Sequence, residues 1–141
     1  MKPLLLLLSV ISLCSATAEE VVLHRIHSAK GEPWVDYRVE RAELEKIPKW
    51  EPKPGSKAPL GRDQAVEIAK RTASAAGVGE KAEMAVTLET TNRYEKDILK
   101  QLPEDGCLWF YLVEFLEKDR EPVFVVITMS GAVARPVSGG K

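Results

Sequence analysis

Between Gly61 and Gly77 the chain carries a stripe of small side chains at helical spacing. In Arg62 to Ala76 (RDQAVEIAKRTASAA), residues Ala65, Ile68, Ala69, Thr72, Ala73 and Ala76 fall on one face, opposite Glu67, Lys70 and Arg71. That pattern predicts an amphipathic helix. Gly61 stands at the N-cap, Asp63 in the first turn and Gln64 at the capping-box position. Gly77 is a natural terminator just past the helix end. A face built of alanines lets a helix lie close against a sheet, so the fold must supply strands for it to cover.

The residues that follow supply them. Met84 to Thr91 (MAVTLETT) alternates Met84, Val86 and Leu88 with Ala85, Thr87 and Glu89, the period of a strand. Cys107 to Leu116 (CLWFYLVEFL) is apolar on both faces except at Glu114, and Val123 to Met129 (VFVVITM) is similar. Short runs rich in β-branched and aromatic residues predict strands covered on both sides or nearly so. Glu117 to Pro122 reads as a polar hairpin loop. Ser130-Gly131 allows a tight turn into a short last strand, Ala132 to Val137, which Pro136 keeps at an edge. Arg93 to Leu102 spaces Tyr94, Ile98 and Leu102 four apart, predicting a short helical excursion that Pro103 and Gly106 end.

Ahead of the helix, Val21 to His27 and Trp34 to Arg41 predict two strands joined as an antiparallel hairpin through Gly31 and Pro33. In the second, Val35, Tyr37 and Val39 alternate with Asp36, Arg38 and Glu40. Residues 48–61 hold Pro48, Pro52, Pro54 and Pro59, an extended connector. Within it, Trp50 is expected to pin the connector to the domain, given how much area an indole buries. The division is therefore 19–47 for the hairpin segment, 48–61 for the connector, 62–137 for the main domain and 138–141 for a fraying tail. The fold class is α+β: one main helix packed on a curled antiparallel sheet, preceded by the hairpin and the Pro-rich connector.

The first residues place this domain. Lys2 precedes an apolar run from Leu4 to Cys14, eleven residues, followed by Ala16-Thr17-Ala18 and acidic Glu19-Glu20. Charge, short apolar core and A-x-A make a secretory signal, 1–18, with cleavage expected after Ala18. The run is short of the roughly 20 residues a membrane-crossing helix needs. A lipoprotein acylated at Cys14 is the lesser alternative, because Leu13 stands where a small residue is wanted. The protein is thus expected to be exported, to the periplasm or outside the cell, with no membrane attachment after cleavage. The 123 residues remaining suffice for one domain and carry 19 basic against 21 acidic side chains. No basic block favours nucleic acid. Cys107 is left without an intrachain partner; it is expected either buried as a small apolar side chain or paired between chains.

A search for catalytic chemistry finds little. Only His24 and His27 are present. On a strand their H-x-x-H spacing points them to opposite faces, and no Glu stands beside them as in H-E-x-x-H. Ser130 precedes a glycine without a nucleophile elbow. Gly77-Val-Gly79 follows a helix, whereas a phosphate loop must precede one. Glu114 lies mid-strand among apolar residues, where an unpaired carboxylate is costly to bury; its face is expected to reach solvent or to meet an Arg across the hairpin. No cofactor and no metal are expected, and no enzyme activity. An enzyme reading would require His24, His27 and Glu114 to converge.

LGRDQAVEIAKRTA, WFYLVEF and VFVVITMSGAVARP together resemble the PepSY-like group of small secreted bacterial domains. The matching positions are Ala65, Ile68 and Ala69; Trp109, Tyr111, Val113 and Phe115; and Val125, Ile127, Gly131 and Val133. Ser130 departs from the acidic residue the group often has before its glycine, and the charged stretch around residues 92–105 is an insertion. The resemblance implies an exported setting and protein binding or modulation of proteases, and it carries no catalytic residues to transfer. The expected function is non-catalytic binding of a protein or peptide through a sheet edge or loops. The alternatives are a protease inhibitor of cystatin-like architecture, by fold analogy, or a small secreted hydrolase.

Overall fold

The computed structural model describes residues 18–27, 33–91, 100 and 108–139. The fold is α+β, with two three-stranded antiparallel sheets. Strands β1 (Glu20–Ile26) and β2 (Val35–Glu40) pair as the expected hairpin. Helix α1 (Arg41–Lys46) follows directly, and its Leu44 is buried. The connector then leads to helix α2 (Arg62–Ala75), strands β3 (Glu83–Thr90), β4 (Trp109–Leu116) and β5 (Val123–Thr128), and last β6 (Arg135–Ser138).

Helix α2 forms as its sequence demands. Gln64 Oε1 accepts from Gly61 N–H at 3.0 Å. At the other end Gly77 takes φ 89, the left-handed region that favours glycine. Gly77 N–H donates to Ser74 O and Val78 N–H to Ala73 O, each at 3.0 Å, which closes a Schellman motif. Ala65, Ala69 and Ala73 are fully buried, with Ile68 and Thr72 half-buried on one flank. Ala76 lies beyond the last turn and is exposed.

The last strand departs from expectation. Ala132 to Ala134 turn back along β5, with an isolated bridge between Ile127 and Val133 and a 2.9 Å bond from Ala134 N–H to Val126 O. The chain then crosses to β2, so that β6 completes the sheet β1-β2-β6 and leaves β3-β4-β5 as the other. The N-terminal hairpin is therefore no mere prelude to one curled sheet: it shares a strand and a hydrophobic core with the rest. Pro136 sits on β6, at a sheet edge as its missing N–H requires. Ser138, expected to fray, pairs with Val35, and Gly139 N–H donates to Trp34 O at 2.6 Å, because β2 offers an open ladder there.

Register sorts the faces of β3-β4-β5. Tyr111, Val113 and Phe115 share the α2 face with Val86, Met84 and Val125. Phe110 and Val126, on the reverse face, are buried within the core that includes Val21, Leu23, Tyr37 and Val39 of the first sheet. A bulge at Leu23 lets four consecutive residues, Val21 to His24, be buried. The helical excursion expected over Arg93–Leu102 (Lys100 aside), Cys107 and residues 1–17, including Cys14, lie outside the described residues.

Candidate functional site

Helix α2 does not sit centrally on its sheet. It packs over β5 and β4. A Cβ at Gly131, in the turn after β5, would lie 3.8 Å from Ile68 Cδ1, so the Ile68 flank of the helix faces that turn. The Pro-rich connector covers the far end of the same face. Tyr111 Oη donates to Leu60 O at 2.9 Å, and Trp50 meets Trp109 edge-on with ring centroids 6.5 Å apart. Trp50 thus holds the connector against the domain.

What neither element covers is the start of β3. Its burial rises along the strand: Met84 is 39% exposed, Val86 and Leu88 are half-buried, and Thr90 is buried. Between this strand and the second flank of α2 runs a groove of about 870 Å³. Met84 and Phe115 line it from the sheet, Val78 and Ala82 from the connection between α2 and β3, and Lys70 and Ser74 from the helix. Among the described residues β3 has one partner, β4, and is therefore an edge strand.

The α2–β3 end of the groove is braced. Glu117, just past β4, accepts from Gly79 N–H at 2.8 Å with one carboxylate oxygen and from Arg120 Nη1 at 3.1 Å with the other. Arg120 also reaches Gly77 O at 3.3 Å. The Gly79 amide, and then Arg120, hold the Glu117 carboxyl below its ordinary pKa against a smaller opposing effect of burial. The β4–β5 loop is thereby tied to the α2–β3 connection.

The histidines and Glu114 do not assemble. His24 is 7% exposed, with its ring 5.5 Å from Phe110 and 6.2 Å from Tyr37 between centroids. Burial lowers its pKa to about 4 and raises that of Tyr37 to about 12. His27 is exposed on the opposite face beside Trp34, 6.1 Å between centroids. Glu114 lies on the reverse face of β4, four residues beyond Phe110, or about 13 Å at strand rise. It is half-buried between Ala85 and Phe124, with no ion-pair partner among the described residues. Arg120, in the loop that follows β4, is engaged with Glu117 instead. Ser130 Oγ shares a 2.8 Å hydrogen bond with Thr128 Oγ1. Among the described residues no three His, Cys, Asp or Glu side chains cluster as a metal site, and no helix is long and apolar enough to cross a membrane.

A second polar feature lies on the outer face of β1-β2-β6. Asp36, 2% exposed, accepts from Arg25 Nε at 2.6 Å and Nη2 at 3.2 Å, and from Arg38 Nη2 at 3.3 Å. Burial raises its pKa, but the two arginines outweigh it and the net direction is down. The Arg25 guanidinium lies 4.7 Å over the Trp34 ring, and Arg135 grips Glu20 with two bonds. Two arginines share the one Asp36 carboxylate, and Arg38 Nε is buried without a hydrogen-bond partner; the contacts run between strands, so the network reads as a tie between them.

The sequence pattern sets Lys70 and Arg71 opposite the small-residue stripe of the helix and Met84 on the alternating face of a strand, and by itself it does not bring the two together. The signal for the groove was the β3 alternation itself, which needs a cover that a single helix of small residues cannot extend to every strand. Comparison with protein-family models, with curated proteins and with solved structures finds no match.

Proposed function

We propose that the chain is an exported, non-catalytic domain that binds another protein or peptide, and that the binding site is the β3 edge with its adjoining groove. The observation that carries this is the half-open β3: an edge strand whose apolar face is left uncovered at Met84. Unpaired strand edges are templates for an incoming strand, and domains that use them this way gain affinity from main-chain bonds and specificity from side-chain pockets. Export rests on the leader pattern of residues 1–18, and the likeness to PepSY-like domains points the same way. His24, His27 and Glu114 stand apart, which favours binding over hydrolysis.

A photo-crosslinking side chain at Thr87, exposed on β3, tests the reading in the cells that export the protein. The expected result is an adduct with one defined protein, with none formed from a probe at Glu67 on the solvent face of α2. Absence of any adduct from Thr87, together with turnover of a hydrolase substrate by the purified chain, would overturn it.

A further inference from the structure

The walls of the groove carry information about what fills it. Lys70 and Arg71 line the helix side, both exposed, and neither has an ion-pair partner among the described residues. At the neighbouring end Arg120 is committed to Glu117 and Gly77 O, while Lys81 and Lys118 line the adjacent hollow and not this groove. Glu80 also lines the groove, beyond the last helical turn. The open stretch of β3 thus faces two unmatched positive charges across an apolar floor of Met84 and Phe115.

The strand side sets the geometry. Met84 and Val86 point to the helix face, while Ala85 and Thr87 alternate to the reverse face and are exposed and small. A strand laid along this edge would set every second side chain over the groove and the others above Ala85 and Thr87, where no bulky neighbour obstructs them. Nothing charged lies on β3 between Glu83 and Glu89 to repel a backbone approaching its edge.

Building on the binding function proposed above, we infer that the occupant is an extended acidic–apolar segment of a partner protein. It adds as a fourth strand beside β3. An apolar side chain rests on Met84 and Phe115, and an Asp or Glu on the same face meets Lys70 and Arg71. Charge complementarity selects the acidic residue and the alternating face selects the apolar one.

Short random peptides displayed on phage and panned against the full chain supply the probe. Enriched peptides are then measured by fluorescence anisotropy against the wild type, the Lys70→Glu/Arg71→Glu double variant and Met84→Glu. The inference predicts enrichment of Asp or Glu spaced two residues from an apolar side chain. It also predicts binding weakened about tenfold by the double charge reversal, weakened further by high salt, and abolished when alternate peptide nitrogens are methylated. Lys70 and Arg71 are solvent-exposed, so circular dichroism of the double variant should match the wild type. Basic or neutral consensus peptides, or affinity indifferent to all three changes, would overturn the inference while leaving peptide binding in place. Failure to enrich any peptide would count against the binding function itself.

Discussion

The His24 imidazole shows how a single residue's environment becomes a property of the whole fold. Held between Tyr37 and Phe110, it titrates near pH 4 rather than at its ordinary value of 6.5, because burial disfavours the charged ring. The unfolded chain takes up the proton first. Stability is therefore full above pH 6.5, falls as pH drops from 6.5 towards 4, and levels off below that, as far as this group is concerned. Allowing for partial solvent access, the loss should be about 2 kcal/mol. Urea titrations across this range should show it, and His24→Phe, which keeps an apolar ring beside Phe110, should flatten that part of the slope. An unchanged slope in the variant would place the imidazole in contact with water. The position was only half legible: H-x-x-H on a strand put the two rings on opposite faces, but the bulge at Leu23 that brings His24 inward leaves no mark in the sequence.

At the scale of elements, α2 was the most legible part of the chain. Its caps, its terminating Gly77 and its small-residue face are local features, each readable from neighbours in sequence. Ala69 and Ala65 are 0% exposed, so the face has no spare room. Ala69→Leu should force the helix away from β4 and β5 and cost about 1–3 kcal/mol, read as a shift in denaturation midpoint. A neutral effect would mean the helix is not seated closely. The alternation of Met84, Val86 and Leu88 marks one face of a strand, as found, but it does not say how far that face is covered, because which strands a helix covers is decided by its position and not by their own pattern. For Glu114 the expected access to solvent is found: it is half-buried on the reverse face of β4. Helix α1 escaped notice because six residues give less than two turns of periodicity, and its one buried anchor is Leu44.

For the whole molecule, the decisive feature is the crossing made by the last strand. The sequence marks it only with Ser130-Gly131 and Pro136, signs of a turn and an edge that do not say which sheet the edge belongs to. By leaving β5 after Ala134 and pairing with β2, the chain uses its C-terminal segment to join two sheets. Among the described residues no strand lies beside β3 on its far side, and α2 lies over β4 and β5, so the edge of β3 and the groove beside the helix are open together there. Amide hydrogen exchange on the free, full chain reads that openness residue by residue. Between Glu83 and Leu88, every second amide should exchange rapidly, the alternate ones bonded to β4 should be slow, and β4 should be protected throughout. Uniform protection of β3 matching that of β4 would contradict the account, because the edge would already be occupied.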